Sequence, residues 1–132
     1  MKRAGILNRH LSAGIALLGH TDTVMVCDAG LPIPSSGPLV VDLALTAGVP
    51  SFEQVLTGLL DELVTEGAVA AREVSEYNPA ALALLDSCFP YPALDLVSHE
   101  ELKSRTSDAK LVVRTGEARP YANVLLRCGV PF

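Results

Sequence analysis

Gly19-His20-Thr21-Asp22-Thr23-Val24-Met25-Val26-Cys27-Asp28-Ala29-Gly30-Leu31-Pro32 decides how this chain is read. Residues 23–27 are β-prone and almost wholly apolar, the pattern of a strand covered on both faces. The Asp-Ala-Gly-Leu-Pro that follows cannot continue a strand. Asp28 is therefore placed at the carboxyl end, the edge where open α/β sheets bind ligands. A histidine just before this strand and an aspartate just after it form a titratable pair, which suggests acid–base chemistry on a small polar molecule.

Outward from this stretch the chain alternates between helix and strand signals. Leu11, Ile15 and Leu18 have helical spacing and predict a helix over 11–18, stopped by Gly19. Residues 30–38 have turn chemistry throughout, and 39–45 read as a second strand. Ser51-Phe52-Glu53-Gln54 is a capping box that opens a helix to about Thr65, with Gly67 ending it and a strand over 68–74. Asn78-Pro79 is an N-cap followed by proline at the first helical position, predicting a helix to about Cys88 that Pro90-Tyr91-Pro92 breaks. A short strand over 94–97 leads into a second capping box, Ser98-His99-Glu100-Glu101, and a helix to about Arg105. Strands over 111–114 and 123–126 complete the pattern. Such alternation predicts one α/β domain over residues 1–132, with a mostly parallel sheet flanked by helices.

The chain is apolar for its 132 residues: 49% are hydrophobic, 19% are charged, and the mean hydropathy is +0.36. No apolar run approaches the ~20 residues of a membrane-spanning helix, so membrane insertion is not expected. Met1-Lys2-Arg3 leads into no hydrophobic segment with a cleavage site, which points to the cytoplasm. Surface hidden in an obligate homo-oligomer accounts for the apolar surplus. Cys27, Cys88 and Cys128 are odd in number and lack Cys-x-x-Cys spacing, as expected of reduced thiols. A net charge of -5 without a basic cluster argues against nucleic acid as a partner.

In a parallel sheet, the carboxyl edge would collect Asp28, His99 and the Thr115-Gly116-Glu117 turn. His99 falls at the first position of its helix, where the dipole favours the neutral ring as an acceptor. Lys103 lies four residues on, on the same helix face. Together they suit a hydroxylated or anionic ligand. Each residue also has a structural role open to it. Asp28 can cap a turn, His20 can be an exposed residue after a helix, and His99 can simply start one. Glu117 can be a turn carboxylate or a partner for Arg114 or Arg119. The chain has no dinucleotide fingerprint, phosphate loop or nucleophile elbow, and its histidines lack metal-ligand spacing. No cofactor and no metal are expected, which leaves plain proton transfer.

Five blocks carry a resemblance: Gly19-His20-Thr21-Asp22, Cys27-Asp28-Ala29-Gly30-Leu31-Pro32-Ile33-Pro34, Gly48-Val49-Pro50-Ser51-Phe52, Arg114-Thr115-Gly116-Glu117, and Pro120-Tyr121-Ala122-Asn123 with the Cys128-Gly129-Val130-Pro131-Phe132 terminus. In order and over the whole chain, they resemble the family of ribose pyranases and fucose mutarotases. Residues 29–32 and Tyr121-Ala122-Asn123 are of the ribose type, and 74–92 is the least family-like segment.

The resemblance implies a parallel α/β fold assembled into a ring-shaped homo-oligomer, a decamer of two pentameric rings, with the sugar bound where subunits meet. It implies His20 as proton donor. Asp28, His99, Tyr121, Ala122 and Asn123 are the implied sugar-binding residues, with Lys103 as a further contact. The implied activity is cofactor-free interconversion of ribopyranose and ribofuranose. Fucose mutarotation and a non-catalytic sugar-binding accessory of a ribose transporter are the alternatives. Within that frame Asp28 orients His20 or binds hydroxyls, and His99 takes the opposite proton. Asn123 offers a donor and an acceptor to a vicinal diol, and Tyr121 stacks on the sugar or bonds through its hydroxyl.

Overall fold

The apolar strand β1 (Thr23–Cys27) lies inside a six-stranded sheet in a computed structural model that describes residues 1–132. The other strands are β2 (Leu39–Asp42), β3 (Thr65–Ala71), β4 (Asp95–Val97), β5 (Leu111–Arg114) and β6 (Val124–Cys128). Their order across the sheet is β2-β5-β1-β6-β3-β4. β1 pairs in parallel with β5, as do β2 with β5 and β3 with β4. β6 runs antiparallel to both its neighbours, β1 and β3. The sheet is thus mixed, with five strands sharing one direction and only the last reversed. That reversal has a consequence for the site: β6 begins on the edge where the other strands end.

Both faces are covered, as the apolar run of β1 requires. Val24 and Val26 point into the larger core, with Leu11, Phe52, Leu56, Leu59, Val74 and Leu85 from the helices on that side. Those helices are α1 (Arg9–Ala16), α2 (Phe52–Leu60), α3 (Val74–Tyr77) and α4 (Pro79–Cys88). Met25 and Cys27 point the other way, into a smaller core closed by Leu31 and by Leu102 of α5 (His99–Thr106). The buried Cys27 thiol is pushed up to about 12, chiefly by loss of water and next by the adjacent Asp28. No helix is long and apolar enough to cross a membrane.

Local signals fix several elements where the sequence places them. The Ser51–Gln54 capping box is complete, and Asn78 caps α4 with Pro79 at its start. Elsewhere tertiary pairing overrides them. α2 stops at Leu60 rather than near Thr65, because residues from Thr65 onward pair with β6 and the Gly129 N–H donates to the Val64 carbonyl. The strand expected over 68–74 is accordingly β3, Thr65–Ala71, followed by the short α3 that the sequence does not announce. The strand expected over 39–45 ends at Asp42, whose carboxylate accepts the Ala44 N–H and turns the chain. At Ser98 only the Ser98 half of the predicted box forms, since Glu101 pairs with Arg105 instead.

The sheet's two edges are apolar and open. Leu39 and Val40 of β2, Leu45 and Val49 beyond it, and Leu96 of β4 are exposed. An unpaired, apolar edge strand is ordinarily covered or blunted in a protein that functions as a monomer.

Candidate active site

Four segments meet at the edge where β1 ends: the residues after β1, the start of α5 after β4, the turn after β5, and the beginning of β6. Between them lies a cleft of about 350 Å³, lined by Asp28, residues 29–32, His99, Glu117, Arg119 and Tyr121.

Asp28 is the most constrained of these groups. One carboxylate oxygen accepts the Gly30 N–H at 2.9 Å, an Asx turn that bends the chain away from the sheet. The other accepts the Asn123 amide at 3.0 Å, while the Asn123 carbonyl oxygen accepts the Asp28 backbone N–H at 2.8 Å. Burial pushes the Asp28 carboxyl above the usual carboxylate range, and these hydrogen bonds and the nearby His99 pull it part of the way back. A buried, firmly oriented carboxylate with a raised pKa is a candidate for acid–base work or for binding hydroxyls.

Asn123 itself is fully buried, with both side-chain functions turned to Asp28. In this chain the amide holds Asp28 in place, so any hydrogen bond from Asn123 to a vicinal diol would use its second N–H or second lone pair. Ala122 is likewise buried, in the larger core, and offers no side chain to the cleft.

His99 stands at the first turn of α5, where Glu73 supplies a feature the sequence reading lacks. The His99 backbone N–H donates to the Glu73 carboxylate at 3.1 and 3.2 Å, so a negative charge sits at the positive end of that helix. The imidazole packs edge-on against Tyr121, with ring centroids 5.0 Å apart at 85°, and Tyr121 packs on Tyr77 at 5.4 Å. The His99 Nδ1 is buried without any hydrogen-bond partner. Such a deficit inside a cleft wall is tolerated where a site has work to do. Lys103, by contrast, does not line the cleft: its ammonium pairs with Glu100 at 2.6 Å.

Glu117 takes Arg119, not Arg114, as its partner. Its carboxylate accepts the Arg119 Nε at 2.9 Å, Nη2 at 3.1 Å and backbone N–H at 3.1 Å, and also faces the first N–H of α2. The Arg119 guanidinium holds Glu117 down at about 2. Arg114 instead clamps the Asp28 loop, donating to the Ala29 carbonyl at 3.0 Å and to Asp42. Gly116 lets the 46–50 loop pack against this turn, since a Cβ there would lie 2.3 Å from the Val49 carbonyl oxygen.

His20 is not in this cleft. It precedes β1, whereas Asp28 follows it, and a five-residue strand separates the two by roughly 16 Å or more. Within one chain Asp28 cannot orient His20, and the two histidines are not neighbours. His20 Nε2 instead lies 2.9 Å from Glu66 Oε2, and Arg127 holds the other Glu66 oxygen at 2.9 Å.

Only two non-glycine residues of the chain have positive φ: Thr21 at 71° and Tyr121 at 59°. For β-branched Thr21 this is a costly conformation, and strain of this kind concentrates at working sites. One lies beside His20 and the other is in the cleft. The turn around His20 is pinned despite the cost: the Thr21 N–H donates to the Cys128 carbonyl at 2.9 Å, and Asp22 accepts the Gly19 N–H at 2.8 Å.

Glu66, Glu73 and Tyr77 carry no motif, and sequence reasoning misses them. The one available signal is Glu66, a carboxylate within an otherwise small and apolar strand.

Comparison with known proteins identifies the family of the chain. The model of the RbsD / FucU transport protein family matches residues 1–131. A D-ribose pyranase of Streptomyces avermitilis is 70% identical over 132 residues, covering all of both chains. The structure of Bacillus subtilis RbsD complexed with D-ribose superposes with a TM-score of 0.94 at 45% identity, each chain fully covered. A fucose mutarotase from Streptococcus pneumoniae, solved with L-fucose, shares the fold at a TM-score of 0.81 and 18% identity, again over both whole chains. With a family model spanning nearly every residue and relatives this similar over their full length, the chain belongs to the RbsD / FucU family.

Proposed function

We propose that this protein is a D-ribose pyranase, an isomerase that interconverts β-D-ribopyranose and β-D-ribofuranose and so supports ribose uptake and catabolism in the cytoplasm. The observation that carries the reading is the cleft itself. A buried carboxylate fixed by Asn123 stands near a histidine with an unspent ring nitrogen, in a space of about 350 Å³. Full-length relatives named D-ribose pyranase choose the sugar.

Changing ring size requires opening to the aldehyde and reclosing through O4 instead of O5. Opening delivers a proton to the ring oxygen and removes one from the anomeric hydroxyl. His20 is the proposed proton donor to the ring oxygen, and His99 takes the proton from the anomeric hydroxyl. Asp28 binds sugar hydroxyls, and Tyr121 stacks on the apolar face of the ring. Positioned acid–base groups contribute ~10²–10⁴-fold, enough for a reaction that water alone already permits.

His20 and the cleft lie at opposite sheet edges, so the reading requires His20 from a neighbouring copy. The proposed assembly is a ring-shaped homo-oligomer, a decamer of two pentameric rings, in which each cleft is completed across a subunit contact. The exposed apolar residues of β2 and of the 45–49 segment supply surface for it. Lys103 and Ala122 remain proposed sugar contacts, Lys103 through release from Glu100 and Ala122 through its backbone.

Magnetisation exchange between the anomeric protons of ribopyranose and ribofuranose, followed by NMR, tests the reading. Exchange accelerated by the wild type and not by His20→Ala supports it. Ribose binding with no acceleration makes the protein a transport accessory. Acceleration that survives in His20→Ala removes His20 from the chemistry.

A further inference from the structure

We infer that Glu66 is a positioning residue for His20, fixing its ring so that Nδ1 is the nitrogen that works. The inference rests on the reading of His20 as proton donor. Its basis is a defect in the sheet. β3 pairs with β6 through Thr65 opposite Cys128 and Gly67 opposite Arg127, with a register shift between the two. Glu66 is the extra residue of that bulge. An extra residue in a strand re-aims its side chain, and bulges recur beside functional sites for that reason.

Here the bulge turns the Glu66 carboxylate onto His20, with Oε2 2.9 Å from Nε2. Arg127 Nε holds Oε1 at 2.9 Å, so the carboxylate is itself anchored. The His20 backbone is fixed independently by the strained, hydrogen-bonded turn at Thr21.

A carboxylate only accepts, so the shared proton stays on Nε2. The protonated ring then has one transferable proton, on Nδ1, which makes no hydrogen bond within the chain. After donation to the sugar ring oxygen the ring is neutral, with its remaining proton still on Nε2. A carboxylate fixing the tautomer of a working histidine follows the same logic as the third member of a serine-protease triad. The His20 and Glu66 side chains are 53% and 36% exposed, and a pair this open adds little to stability. Its use lies in orientation.

The test compares wild type, Glu66→Gln, Glu66→Ala and His20→Ala by ribose magnetisation exchange, chemical denaturation and long-range ¹H–¹⁵N spectra of the imidazoles. Glutamine keeps the size of glutamate but can donate to Nε2, freeing the proton to move to Nδ1. Expected for both Glu66 variants is a loss of about 10–100-fold in kcat, typical of outer partners that orient a histidine. KM for ribose should stay within about twofold, the unfolding midpoint should hold, and the His20 resonances should leave the Nε2–H tautomer. If alanine impairs assembly, the glutamine variant alone decides. A kcat within about twofold of wild type in Glu66→Gln, or an unchanged His20 tautomer, overturns the inference. His20→Ala separates the two readings. An inactive His20→Ala beside an active Glu66→Gln rejects the role of Glu66 alone. An active His20→Ala rejects the assignment of His20 and the inference with it.

Discussion

Replacing Asn123 with alanine separates positioning of Asp28 from direct contact with sugar. The change removes two buried hydrogen bonds: the amide carbonyl accepting the Asp28 N–H at 2.8 Å, and the amide NH₂ donating to the Asp28 carboxylate at 3.0 Å. The first joins neutral groups and is worth about 0.5–1.5 kcal/mol, while the second ends on a carboxylate and is worth about 1.5–3 kcal/mol. Part of this is recovered by water entering the space, so the expected loss of stability is about 2–4 kcal/mol.

The loss should also depend on pH, with a sign the structure fixes. Burial already holds the Asp28 carboxyl above its ordinary range, and the Asn123 amide is one of the contacts that restrains the shift. Without it Asp28 moves further up. A carboxyl whose folded-state pKa is raised favours the fold while protonated and loses that contribution as pH rises through the folded value. The stability gap between wild type and Asn123→Ala therefore widens as pH rises through the Asp28 titration and narrows at acid pH. In exchange assays the acid limb that follows ionised Asp28 moves to higher pH. Urea unfolding at several pH values, beside the pH profile of ribose exchange, measures both. A stability loss under about 1 kcal/mol, independent of pH and accompanied only by a higher KM, would refute the positioning role and restore direct sugar contact.

Three further outcomes are expected. Thr21→Gly relieves a left-handed β-branched residue, a cost of about 1–2 kcal/mol, against about 0.5–1 kcal/mol of added chain entropy. The variant should therefore unfold at slightly higher denaturant yet exchange ribose more slowly, and equal or faster exchange would show that the strain does not hold His20. In Arg119→Ala the buried Glu117 loses the guanidinium that holds it at about 2. The wild type keeps the Glu117 contribution above the ordinary carboxylate range and loses it as pH falls through about 2, so the variant's acid unfolding, followed by circular dichroism, should begin at higher pH. His20→Ala and Asp28→Asn are each expected to be inactive, but unfolding and reassembling them together should restore activity at about a quarter of the sites, as in a ring of heterologous contacts. No recovery would show that His20 and Asp28 do not act together on one sugar molecule.

The fold was legible where local chemistry and long-range packing agree. Residues 23–27 read as a doubly covered strand and form one, because Val24 and Val26 fill one core while Met25 and Cys27 fill the other. Caps at Ser51 and Asn78 start their helices at the positions the sequence marks. Boundaries were lost where a partner strand decides, as at Thr65, which joins β6 while its own neighbours still favour helix. The cleft was legible through the strand-end rule, since Asp28, His99 and the turn at Glu117 all follow parallel strands. Asn123 reached the same rim only because β6 runs backwards, and strand direction has no local signature. Glu66 was only half legible for a related reason: its sequence marks a carboxylate among small residues, but the bulge that aims it is a property of two strands in register, and neither sequence alone carries it.

Strand polarity also governs where the chemistry can occur. His20 and Asp28 are eight positions apart, and an extended, buried strand between them is a rigid spacer that no loop movement shortens. The Glu66 contact and the Thr21 turn hold His20 at the far edge, so neither group reaches the other by local rearrangement. If both act on one sugar molecule, they come from different copies, and one strand serves two sites by carrying the base-bearing edge of one and the acid of the next. Catalysis then requires assembly. Under that proposal the apolar sheet edges left open in the single chain are surface for the contact.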